Sequence, residues 1–527
     1  MNRRGLLHLI PTLLVLTVAV WSCKKDDGPK PAPQVTGSKT SLNLVAEASD
    51  NVTLTIVAPG TFSSVTATAD KGTVTVANVT GTGTEAGSAT LTYVAPLEVG
   101  NYTITVKVLD QAGMSGTLTI TVAVTAKPPV TVPAGNVSGT WQKNTTYIAG
   151  GTLVIPKGSS LTIPEGVTVI FDGDGSQGAP EFSVQGSLYC IGTAAKPITF
   201  TIPEVKRTKA NIFAGLWGGI QATQDATEMV LQYTNVEYVG APTGGTNPSK
   251  NIGPYADGDP RYGVLFSNTN GKFVMQNSRI SYTADDGMRI VGGTILITNN
   301  LFVLTGKNGG ESVNIKSSVI GTVAYNTSWR GATNAWKWSN ASGSSATPQT
   351  DVDVYNNTAI ECGWRQTKTG RGGSLNVEKG ARGKAYNNLV VNCRFGLRVV
   401  DDADVTNLAI GYTHYYGTDA VMVNEFYPTG NKFKKGDSET AKDVVGAAKE
   451  NDPTFANYTV SGYTSTYPVD PLTLDFPPAG VDFHLKAGAP GLTKGKTGFT
   501  TKGDITVGGV KYSTPAPSAF IGTYGTN

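Results

Sequence analysis

The residues able to do chemistry gather in one stretch. Between Ser312 and Val400 stand eleven cations: Lys316, Arg330, Lys337, Arg365, Lys368, Arg371, Lys379, Arg382, Lys384, Arg394 and Arg398. Only four acids oppose them, Asp351, Asp353, Glu361 and Glu378, so the local balance is +7. The same stretch holds Trp329, Trp336, Trp338 and Trp364, four of the seven tryptophans in the chain. Cations pair with carboxylate or sulfate groups, and indole faces cover the apolar face of a sugar ring. A basic, Trp-rich groove suits an acidic polysaccharide, with Trp336, Trp338, Trp364, Arg365, Arg371 and Arg394 as contact residues. The competing reading puts the tryptophans in the core and scatters the charge over the surface.

The chain as a whole is nearly neutral. Its 527 residues carry 42 Lys and Arg against 39 Asp and Glu. Arg3 and Arg4 lie in a removable leader, which leaves about +1 for the mature chain. A globally basic nucleic-acid binder is disfavoured. Only 15% of residues are charged, which argues against long helices with charged faces and against a disordered polyelectrolyte.

The elements that must position the basic stretch follow from the chain order. Residues 1–22 have two arginines, an apolar run and then Cys23, which reads as a secretory signal peptide with a lipidated cysteine. The next residues, Lys24-Lys25-Asp26-Asp27, resemble the surface-export signal of Bacteroidetes lipoproteins. That resemblance implies an outer-membrane lipoprotein facing outwards. Residues 23–35 end in a Pro-rich tether. Residues 36–126 alternate apolar and polar with period two, as at Val52, Leu54, Ile56 and at Ile104, Val106, Val108. Thr-rich alternation over about 90 residues predicts an Ig-like β-sandwich, read as a spacer. Residues 127–137 form a linker.

From residue 138 to 527 short strands recur with Gly turns, which predicts an all-β right-handed parallel β-helix. Gln276-Asn277, Thr298-Asn299, Tyr325-Asn326, Tyr355-Asn356 and Tyr386-Asn387 recur every 22 to 31 residues, one coil each. An Asn at the same corner of each coil would bond its side chain to the next. Cys362 and Cys393 both fall six residues after their Asn. Coils stack about 4.8 Å apart, so the pair reads as stacked inward thiols, with a disulfide as the alternative. Cys190 reads as core. Residues 437–450 are expected as a short Asp-capped helix. Residues 481–490 (VDFHLKAGAP) resemble the closing segment of pectin-lyase-like β-helix proteins, which runs back along the solenoid.

Glu311–Thr327 (ESVNIKSSVIGTVAYNT), followed by Asn334-Ala335-Trp336-Lys337-Trp338, resembles the active-site stretch of the chondroitinase B and alginate lyase family. The resemblance implies Lys316 as catalytic base, Lys337 as second catalytic cation and Glu311 as a calcium carboxylate. Asn326-Thr327 falls on that family's structural Asn-Thr. Gly309 stands where the first calcium Glu should be, Lys337 replaces Arg, and Trp338-Ser339 replaces His-Gly. Losing one carboxylate weakens a calcium site; Asn277, Asp285 or Asp286 from a neighbouring coil could contribute, but nothing in the sequence demands it. The chemistry implied is β-elimination, with Lys316 kept neutral, and so able to take a proton, by the neighbouring charge of Lys337. Asp285-Asp286-Gly287 invites comparison with polygalacturonases, but no Gly-His-Gly accompanies it, and it reads as a coil turn. Asp401-Asp402-Ala403-Asp404 reads likewise. Three functions stay open: an acidic-glycan binder, a uronate lyase, and a non-catalytic adhesion protein.

Overall fold

The computed structural model describes residues 28–252, 254–340, 346–400, 403–460 and 480–527. The expected signal peptide, Cys23, the start of the expected tether and the Asp401-Asp402 pair lie outside the described residues. The chain divides into two compact units, Met1–Lys127 and Pro128–Asn527. Among the described residues no helix is long and apolar enough to cross a membrane.

The first unit is a sandwich of two four-stranded sheets. Period-two alternation produces it: Val52, Leu54 and Ile56 are buried on one sheet, Ile104, Val106 and Val108 on the other. Their side chains meet in one apolar core, while the intervening threonines stay in solvent.

The second unit is a right-handed parallel β-helix. Each coil contributes a short strand to each of three parallel faces. Every coil buries its inward residues only against the coils above and below, which gives one continuous core from Val137 to Ile521. Five successive strands of the first face matter below: β1 (Met288–Thr298), β2 (Val313–Ala324), β3 (Asn334–Ser339), β4 (Gly373–Glu378) and β5 (Leu397–Val399). β1 and β2 are long because they also run on into the second face.

The corner between second and third faces uses two residues per coil. The first takes a left-handed conformation: Asn277, Asn299, Tyr325, Asn356 and Asn387 have φ between 51 and 57°. The second forms the ladder. Asn300, Asn326 and Asn357 each donate Nδ2 to Oδ1 of the next member, Asn388 being the last, at 2.9 to 3.1 Å. The repeat therefore lies where expected, but four of the five expected ladder residues are the corner itself. Only Asn326 belongs to this ladder, although the expected Asn-to-Asn bond also forms at the corner itself, where Asn387 Nδ2 donates to Asn356 Oδ1 at 3.3 Å. Asn and Asp tolerate left-handed φ better than other residues with a side chain, so one residue type serves both positions.

Cys190, Cys362 and Cys393 are free and buried. Cys362 joins an internal row of small polar groups, with Ser328 Oγ at 3.3 Å and Ser312 Oγ 2.6 Å beyond. The helix expected at 437–450 is a 3₁₀ turn, Ser438–Lys442. Asp437 makes no side-chain cap to it and instead accepts from the Lys434 N–H at 2.8 Å. The closing chain runs back over the corners. Asn387 Oδ1 accepts from Lys496 N, Asn356 Nδ2 donates to Phe520 O, and Lys272 Nζ reaches Thr506 O. A hairpin there seals the second face with Ile505, Val507 and Tyr512 over Val230, Val274 and Leu296.

Candidate functional site

Register on the first face sorts the basic stretch into inside and outside. Met288, Val313, Trp336, Leu375 and Leu397 stack in one inward row, and Ile290, Ile315, Trp338, Val377 and Val399 in another. Between them runs an outward row with one residue per coil: Arg289, Asn314, Lys337, Asn376, Arg398. Strand alternation makes this unavoidable, because Lys337 lies between two tryptophans that must both point inward.

Beside this row is a cleft of about 320 Å³. Its lining includes Asp285, Asp286, Glu311 and Glu378 together with Arg289, Lys337, Lys368, Arg371 and Arg398. Asp285 and Asp286 sit on the turn that carries the chain from the third face into β1. Glu311 occupies the equivalent turn one coil later, and its N–H donates to Asp286 Oδ1 at 2.8 Å.

The three carboxyls differ in what surrounds them. Arg289 grips Asp286 Oδ2 through Nη2 at 2.6 Å and Nε at 2.7 Å, and Asn314 Nδ2 adds a bond at 2.8 Å. Burial opposes the charge of Asp286, but these donors outweigh it and hold the carboxyl below its ordinary value. Burial and then the charge of Asp286 push Asp285 up to about 8. Burial, followed by Asp286, pushes Glu311 up to about 7, with Lys337 opposing. Lys337 lies between Glu378 at 3.0 Å and Glu311 at 3.5 Å. Burial works against its ammonium, and the two glutamates hold it protonated above its ordinary value. Two amide oxygens, Asn314 Oδ1 and Asn334 Oδ1, are buried without a hydrogen-bond partner.

The expected site residues separate. Lys337, Glu311 and Arg371 line the cleft. Arg394 does not; its Nη1 donates to Arg371 O at 2.9 Å and Gln366 O at 3.3 Å, which steadies the turn carrying Arg371. Arg365 is a correction: it is buried, with its guanidinium on the carbonyls of Thr305, Gly306 and Arg330. The tryptophans are another. Trp336, Trp338 and Trp364 are 2%, 0% and 4% exposed and offer no indole face to a sugar. Trp364 Nε1 donates to Asn392 O at 2.7 Å.

Lys316 is the extra residue of a β-bulge where β1 and β2 lose register after Ile290. It is half-buried beside the cleft, outside its lining. Burial, then Lys337 and Arg289, lowers its pKa. The calcium reading does not fit. The donors around Glu311 are two amide groups and an ammonium, which satisfy an anion and oppose a cation. Asn277 is exposed at a coil corner and lines no part of the cleft. Among the described residues no group of three or more His, Cys, Asp or Glu is placed to hold a metal ion.

Reading the residues alone missed Arg289, Asn314 and Asn334, counted Glu378 and Arg398 only as charges, and took Asp286 for a coil turn or a calcium contributor. Asp285-Asp286 was visible as a pair; its meaning needed Arg289 three residues on and Glu311 one coil later.

No family model matches the chain, and no curated protein matches it. Among solved structures it is similar to the family 28 exopolygalacturonase of Yersinia enterocolitica. The identity is 10%, the TM-score 0.24, and the match covers 73% of this chain and 95% of the other.

Proposed function

We propose that the chain binds an acidic polysaccharide in the first-face cleft and cleaves it by acid–base chemistry. The supporting observation is that Asp285, Asp286 and Glu311 share one cleft yet hold protons with different strength, while five cations line the same walls. Neighbouring carboxyls driven apart in this way divide into a proton donor and a proton acceptor. In hydrolysis, protonated Asp285 gives its proton to the leaving glycosidic oxygen. Ionised Glu311 takes one from the attacking water. The cations neutralise uronate or sulfate groups.

One observation favours a second reading. Bulges re-aim side chains, and the bulged Lys316 has its ammonium disfavoured by burial and by two cations. A neutral Lys316 would take the proton at C5 of a uronate in β-elimination.

A panel of uronate polysaccharides separates the readings. New reducing ends without ultraviolet absorbance mean hydrolysis; an unsaturated, absorbing product means elimination. Binding without either leaves a carbohydrate-binding protein, and a folded chain that binds no member overturns the proposal. We place the protein on the outer surface of the outer membrane, anchored through lipid on Cys23. Fatty-acid labelling of cells that is lost in Cys23→Ala would support this, and labelling that persists would refute it.

A further inference from the structure

The cleft has two unlike ends. Followed toward lower residue numbers, the outward row continues from Arg289 to Leu265 and Gln221. These two positions face outward by register yet are 0% exposed. Tyr255 and Tyr262 cover them. Tyr255 Oη donates to Gln221 Oε1 at 2.5 Å, Gln221 Nε2 donates to Tyr262 O at 2.7 Å, and both rings pack on Leu265. The Arg289 guanidinium lies 3.9 Å from the centre of the Tyr262 ring, so this wall stands directly beside Asp286.

The wall is fixed. Arg261, next to Tyr262, is fully buried against Glu181 at 2.8 Å. Glu181 also accepts from Ser249 N and Oγ, at 2.8 and 2.6 Å. A buried, fully bonded ion pair of this kind holds one geometry.

Toward higher residue numbers the balance of charge reverses. Asp285, Asp286 and Glu311 cluster against the wall, whereas Arg371, held by Arg394 of a later coil, and Arg398 line the other end. Lys368 and Arg371 are exposed on the rim. From Asn314, which touches both Asp286 and Glu311, to Arg398 is three coil steps, about 14 Å.

Resting on the function proposed above, we infer that the cleft takes one terminus of an anionic glycan. The terminal sugars sit against the Tyr255–Tyr262 wall at the carboxyls. The charged groups of sugars further along the chain lie over Arg371 and Arg398. A chain passing through would have to cross the wall.

Stoichiometry tests this without depending on turnover. Size-fractionated oligo- and polyuronates, with polygalacturonate and alginate as probes, are titrated into the intact protein. Terminal binding gives one protein per chain at every chain length, and Arg371→Ala with Arg398→Ala weakens affinity about tenfold or more. The same double substitution leaves affinity for the carboxyl-reduced chains unchanged. Where the probe is cut, one short product accumulates from the first time point. Protein per chain that rises with chain length, or mid-sized fragments appearing early, overturns the inference and leaves the proposed function standing. Affinity unmoved by the double substitution overturns the assigned orientation. Failure of every probe to bind removes both, and so is told apart.

Discussion

Arg289 places Nε and Nη2 on a single oxygen of Asp286, so that of two adjacent aspartates only one is held ionised. Asp286 is fully buried, and removing the guanidinium strands its charge. Arg289→Met should cost about 3 kcal/mol near neutral pH by chemical denaturation. Arg289→Lys should recover part of that, but not the two-point grip. Equal stability of wild type and Arg289→Met would remove the ion pair as the organiser of this cleft.

The neighbouring carboxyl has the opposite habit and sets a pH limit. Asp285 is raised to about 8, so the folded chain keeps a proton that the unfolded chain releases near 3.8. The stability it contributes is present below about 3.8 and is lost as pH rises through about 8. Asp285→Asn has no such loss. Its melting temperature relative to wild type should climb across that window. Cleavage needing the Asp285 proton should fall above about pH 8 in wild type, and Asp285→Asn should lower it about 10²- to 10⁴-fold. A pH profile unchanged by the substitution would deny Asp285 the role of acid.

Lys316 and the carboxyls make competing claims on the same substrate. Under hydrolysis, Lys316→Met should keep cleavage within about threefold of wild type, because Lys316 lies outside the cleft lining. Loss of about 10²-fold or more, with unsaturated product vanishing in parallel, would transfer the role of base to Lys316.

How much of this was legible in the sequence differs between fold and site. Period-two alternation and recurring Asn corners suffice for the sandwich and the solenoid, because both patterns are local to a strand or a coil. The cleft is not local. Asp286, Glu311 and Lys337 come from three coils, and only register brings them together. The tryptophans misled for the same reason. In Trp336-Lys337-Trp338 one face must take the Trp pair and the other the Lys, and a count of basic and aromatic residues cannot say which face is solvent. The bulge at Lys316 shifts alternation by one and leaves no mark in composition.

Trp338 supplies a direct test of that assignment. It is 0% exposed in the continuous core, so Trp338→Ala should cost about 3 to 5 kcal/mol. Glycan affinity of the folded fraction should stay at the wild-type value. Arg371→Ala should do the reverse, weakening affinity while leaving the melting temperature alone. Lost affinity in Trp338→Ala at full stability would return the indole to the binding surface.

The two residue roles at the coil corner predict opposite tolerances. Asn357 is buried, donates Nδ2 to Asn388 Oδ1 and Val323 O, and accepts from Asn326 N and Nδ2. Asn357→Ala strands several of these groups and should cost about 3 kcal/mol. Asn299 is exposed, and its position requires φ of 57°. Asn299→Gly should be near neutral because glycine adopts that conformation freely, whereas Asn299→Val should cost about 1 to 2 kcal/mol. Chemical denaturation of the three variants reads both roles at once. Equal costs for Asn357→Ala and Asn299→Gly would mean that ladder and corner are not distinct.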